Sequence, residues 1–192
     1  MSDYKTIRGV STFTYEEKRS RFIATAAFAD TEEKALAVLN GVRAANRTAR
    51  HNVYAYVLQN GRTRYSDDGE PAKTAGTPVL ETITHAGVSD VIVVVTRYFG
   101  GILLGAGGLT RAYTKGAKDA LDAAGICRMS LWTLWEIPCT YPLFERMKLE
   151  IENCGGMIHE TEYGADILIS AAFPAGGAEK FASRLTELSA GS

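Results

Sequence analysis

Val91 to Thr96 reads VIVVVT, an unbroken β-branched apolar run that predicts a buried, central strand. Directly after it, Gly100, Gly101, Gly105, Gly107 and Gly108 crowd one short loop before an Ala-rich helix from about Leu109 to Ala124, which Gly125 ends. A glycine-rich turn between a buried strand and a helix N-terminus lets backbone N–H groups approach an anion, and the helix dipole adds to the attraction. Between Asp90 and Asp119 there is no acidic residue, whereas Arg97, Arg111, Lys115 and Lys118 are basic, the last three on one helix face. The segment has the outline of a phosphate cradle, although neither G-x-x-x-x-G-K-[ST] nor G-x-G-x-x-G occurs in it. The same pattern also suits glycines that serve only close helix–strand packing beside a solvated basic face.

The rest of the chain is read around that unit. Arg21 to Phe28 predicts a strand, and Asp30 or Thr31 with Glu33 caps a helix from about Glu32 to Ala45. Asn52 to Leu58, the Asn60-Gly61 turn and Arg62 to Tyr65 predict a hairpin, and Thr77 to His85 a helix closed by Gly87. A chain of 192 residues can hold one large or two small domains, and the pattern favours two, 1–128 and 129–192. In the second, strand Ser130–Cys139, helix Pro142–Asn153, strands Met157–Glu162 and Asp166–Phe173, and helix Ala178–Leu188 give βαββα. That order is a ferredoxin-like split βαβ fold without its last strand, so the fold class is α+β. The sequence stops at Ala190-Gly191-Ser192, where that strand would begin. Either the chain is cut short or the sheet keeps an unpaired edge that something else covers.

Composition narrows the function. Hydrophobic residues are 46% and charged residues 22%, an ordinary globular balance, and the net charge of −1 announces neither a nucleic-acid nor a membrane partner. Cys127, Cys139 and Cys154 lack C-x-x-C spacing and are odd in number, which argues against a disulfide framework and a zinc site. With no signal-peptide pattern and no long apolar run, the reading is a cytoplasmic protein with no membrane partner.

Two further segments carry chemistry. Arg43, Arg47, Arg50, His51, Arg62 and Arg64 fall in an acid-free stretch with Tyr54, Tyr56 and Tyr65 among them. Cations hold phosphates and rings stack on bases, so this suits an RNA surface; a basic hairpin face with core tyrosines gives the same pattern. Tyr65 to Pro71, YSDDGEP, is the tight acidic cluster, and Asp67, Asp68 and Glu70 are the metal candidates, for Mg²⁺ beside phosphate. The same carboxylates could cap a turn or pair with the arginines, and those structural roles are favoured. His51 is the best-placed of three scattered histidines, and no nucleophile elbow or activated cysteine is present.

Together these residues become specific. S-R-F-I-A from Ser20, A-R-H-N-V-Y-A-Y from Ala49, S-D-D-G-E-P-x-x-T-A-G-x-P from Ser66 and V-V-V-T-R-Y-F-G-G-x-x-L-G-x-G-G-L-x-R-A-Y from Val93 resemble, in order, the YigZ/IMPACT family. The resemblance implies a first domain similar to domain four of the translocating elongation factor and to a small-subunit ribosomal protein, both with a βαβ-like fold. It implies a second domain similar to domain five of that factor, one that normally continues with the strand missing here. Eukaryotic members are associated with translational control through a scaffold that activates the nutrient-stress kinase, and for bacterial members nucleic-acid or ribosome binding is inferred from fold. No catalytic residues carry over.

The resulting expectation is a translation-associated regulator that binds structured RNA, the ribosome or a translation factor, without covalent chemistry and without a cofactor. Arg97, Arg111 and Lys115 would hold phosphate beside the glycine loop, and Arg50, His51 and Tyr54 would extend the surface. The rivals are a Mg²⁺-dependent enzyme acting on a phosphorylated small molecule or nucleotide, and a protein-interaction module in stress regulation.

Overall fold

The computed structural model describes residues 3–189, which divide into two units, Tyr4–Met129 and a second made of the residues from Ser130 onward with Asp3. The first unit holds β1 (Tyr4–Ile7), β2 (Ser11–Glu17), β3 (Ser20–Phe28), α1 (Glu32–Ala45), β4 (His51–Val57), β5 (Thr63–Ser66), α2 (Gly76–Ala86), β6 (Val91–Tyr98), α3 (Ala106–Ala124) and β7 (Ile126–Met129). Five of its strands form one antiparallel sheet in the order β2-β3-β6-β4-β5, with β6 in the middle as its apolar run demands. Val91, Val93 and Val95 pack with α2 and α3, whereas Ile92 and Val94 pack with α1. Cover on both faces is why the run shows no polar alternation.

Local chemistry sets the boundaries. The Thr31 hydroxyl accepts from the Lys34 backbone N–H at 3.2 Å and starts α1, whose first turn carries Glu32 and Glu33. Gly87, at φ 65°, ends α2. The third helix begins at Ala106, earlier than Leu109, because Gly105 at φ 73° makes the turn. Gly107 and Gly108 therefore lie in the first helical turn and not in the loop. Three strands were not legible: β1 and β7 are four-residue strands that pair with each other, and β2 is a polar strand at the sheet edge.

The second unit contains β8 (Trp132–Cys139), a 3₁₀ turn at Tyr141–Leu143, α4 (Phe144–Asn153), β9 (Met157–Tyr163), β10 (Ile167–Pro174) and α5 (Gly177–Ser189). Its antiparallel sheet runs β8-β10-β9, and Ile137, Ile151, Ile169, Phe173 and Phe181 are buried in its core. The place expected for a last strand, at residues 190–192, lies outside the described residues. Among the described residues, no helix is long and apolar enough to cross a membrane.

Candidate functional site

Arg97 sits near the end of β6 and is 5% exposed. Its Nη1 donates to Glu70 Oε1 at 2.8 Å, and the Tyr113 hydroxyl donates to the same oxygen at 2.7 Å. Arg97 Nη2 and the Gly100 backbone N–H both donate to the Ser20 hydroxyl at 3.3 Å. Three of the sequence motifs thus meet in one buried network. The fourth joins through Asp68, whose carboxylate accepts from the Asn52 N–H at 2.6 Å and whose carbonyl accepts from His51 Nδ1 at 2.8 Å. Burial pushes the Tyr113 hydroxyl far above the ordinary tyrosine range, and the neighbouring Glu70 charge pushes it the same way.

Several sequence-predicted site residues take structural roles. Both terminal nitrogens of Arg97 are engaged inside the protein, so it anchors the network and is not an open phosphate clamp. Gly100 is required by packing: a Cβ there would fall 2.0 Å from the Arg19 backbone. Tyr54 is 6% exposed in the core under α1, where it cannot stack on a base. Lys115 pairs with Asp119 one turn along its own helix and lies over the Phe13 and Tyr15 rings, and Lys118 pairs with Asp122. Arg62 and Arg64 both pair with Glu32, an acid that the linear stretch does not contain.

The acidic loop is likewise engaged. Asp67 Oδ1 accepts from the backbone N–H groups of Ala75 and Gly76 at 3.1 and 2.8 Å, and its Oδ2 from Lys73 at 2.9 Å, which fastens the loop to the start of α2. Asp68 also pairs with Arg43 at 3.1 Å, and Glu70 is held as above. Among the described residues no cluster of histidine, cysteine or carboxylate side chains is arranged to hold a metal ion.

Among the described residues some of the predicted cations remain unpaired, two of them, Arg50 and Arg111, near the start of α3. Arg47, Arg50 and Arg111 are exposed and have no ion pair among the described residues. A cavity of about 310 Å³ is lined by Arg50, His51, Glu70, Arg97, Gly105 and Ala106 together with apolar side chains. The helix has no side-chain N-cap and no acid in its first turn, and its first internal bond runs from Leu109 N–H to Gly105 O, so the earlier N–H groups have no partner in the helix. Arg111 folds over that turn, with Nη1 3.5 Å from where a Gly107 Cβ would sit. The structure therefore brings together Arg50, His51, Arg97 and Gly105, with Gly107 and Arg111 in the adjoining first turns of α3. Sequence reasoning missed Phe99, Ile102 and Leu103, which are 43%, 41% and 81% exposed beside the cations. Their signal was present as an apolar FGGILL stretch where a loop is usually polar.

The chain is similar to known proteins. The Impact N-terminal domain matches residues 18–121, and a domain of unknown function (DUF1949) matches residues 137–192. IMPACT family member YigZ of Escherichia coli (strain K12) is 38% identical over 185 residues, 94% of this chain and 91% of its own. IMPACT family member YvyE of Bacillus subtilis (strain 168) is 31% identical over 193 residues, 100% of this chain and 89% of its own. A crystal structure described as that of a hypothetical protein superposes with a TM-score of 0.68 at 36% identity, covering 100% of this chain and 95% of that one.

Proposed function

The chain belongs to the IMPACT family, and from that premise we propose that it is a non-catalytic, translation-associated protein of the cytoplasm whose first unit binds structured RNA, alone or within the ribosome. One observation carries the reading: among the described residues, the arginines left without ion pairs include Arg50 and Arg111, and both lie near an uncapped helix N-terminus. Cations and helix-end N–H groups are the usual ligands of backbone phosphate. Translational control, which the family resemblance implies, supplies the setting. A metal-assisted reaction at the acidic loop has less support, because Asp67, Asp68 and Glu70 are each engaged by protein donors.

Purification at low salt tests the reading. The protein is expected to retain RNA that is released at high salt, since phosphate contacts exchange with counterions. Protein free of nucleic acid at low salt, with no affinity for ribosomal RNA added back, would overturn it.

A further inference from the structure

The cavity at the start of α3 joins an apolar wall to Arg50, which has no ion pair among the described residues, and to an open helix end. We infer that it binds a single nucleotide, either an unpaired residue of an RNA strand or a free nucleoside monophosphate. The inference rests on the RNA reading above and names what the cavity itself takes. Its volume of about 310 Å³ suits one nucleotide and excludes a duplex.

The lining matches the two halves of such a ligand. On the polar side are the uncapped start of α3, Arg50 and His51. Arg97 lines the same cavity as a structural member, its terminal nitrogens held by Glu70 and Ser20. Glu70, also in the wall, and Arg97 neutralise each other, with the Tyr113 hydroxyl donating to the same oxygen, so Arg50 is the arginine of the lining that has no ion pair among the described residues. On the apolar side stand Phe99, Leu103, Leu104 and Leu109. Phe99 is held 5.5 Å from the Arg97 guanidinium, and both Phe99 and Leu103 are exposed, as a base platform must be before its ligand arrives. Inorganic phosphate would leave that wall uncovered, and a paired base would have to leave its stack to reach it.

Calorimetry on the full chain, titrated with AMP, inorganic phosphate, a single-stranded oligoribonucleotide and an RNA duplex, tests the inference. AMP or the single strand is expected to bind saturably, and phosphate more weakly. Binding of AMP identifies a free nucleotide as sufficient, whereas binding of the single strand alone identifies an RNA residue as the ligand. Ala106→Glu puts a carboxylate at the first residue of α3, where it complements the helix dipole and preserves the helix, and should weaken the ligand at least about tenfold. Leu103→Ser, at an exposed position, should weaken it at least about fivefold and leave duplex binding unchanged. Thermal unfolding of both variants reports that the fold is intact. No saturable binding of AMP or single strand, equal affinity for phosphate and AMP, or unchanged affinity in either variant would overturn the inference. Duplex binding that persists through such a failure leaves the RNA reading standing, and loss of all RNA binding removes both.

Discussion

Glu70 illustrates how little a residue's identity says about its task. It lies in a loop that reads as a possible metal site, yet 8% exposure and two donors on one oxygen make it the acceptor of a buried ion pair. Removing it would strand the Arg97 charge, so Glu70→Ala is expected to destabilise the first unit by ~3–5 kcal/mol, and Tyr113→Phe by ~1.5–3 kcal/mol, read from urea midpoints. The Tyr113 proton supplies a second readout. In the unfolded chain this hydroxyl ionises near its ordinary value of 10.0, while in the folded protein burial and Glu70 keep it protonated well beyond that. A folded-state pKa that is raised contributes stability below the unfolded value and loses it as pH rises. Stability should therefore fall above the ordinary tyrosine range, and fall less steeply in Tyr113→Phe; parallel pH profiles would contradict the assignment. The motif residues were legible in the sequence but their pairing was not. Arg97 lies 27 residues from Glu70 and 77 from Ser20, separations across which linear spacing carries no information.

Among the elements, those with a strong period or a clear stop signal were legible: β6 from its apolar run, α1 from its cap, α2 from Gly87, and the βαββα order of the second unit from its alternation. The short and polar strands β1, β2 and β7 were not, because their pairing comes from partners distant in sequence. The glycine loop was legible as a special segment, but its glycines do different work. At Gly100 an added Cβ would enter the Arg19 backbone, so Gly100→Ala should lower the melting temperature steeply or prevent folding, an overpacking effect of at least ~1–3 kcal/mol. At Gly107 the nearest atom to an added Cβ is Arg111 Nη1 at 3.5 Å, an ordinary contact, and the residue is helical. Gly107→Ala should hold or raise stability by up to ~1 kcal/mol. Equal effects in the two variants would show that the loop is uniform after all.

At the scale of the whole molecule, net charge is uninformative, because a total of −1 conceals which cations are already spent. Among the described residues Arg43, Arg62, Arg64, Lys115 and Lys118 are neutralised locally, whereas Arg50 and Arg111 remain at the start of α3. That partition could not be read from the chain, since Glu32 reaches Arg62 and Arg64 only through the fold. The central claim is that these two arginines hold RNA phosphate, and the salt dependence of binding to ribosomal RNA tests it most directly. Arg50→Ala and Arg111→Ala should each reduce the slope of log affinity against log salt by about one unit, and the double variant by about two. Lys118→Ala, whose cation is already paired, should leave the slope near that of the unaltered protein. Slopes unchanged in the double variant, or reduced as much by Lys118→Ala as by Arg111→Ala, would contradict the account.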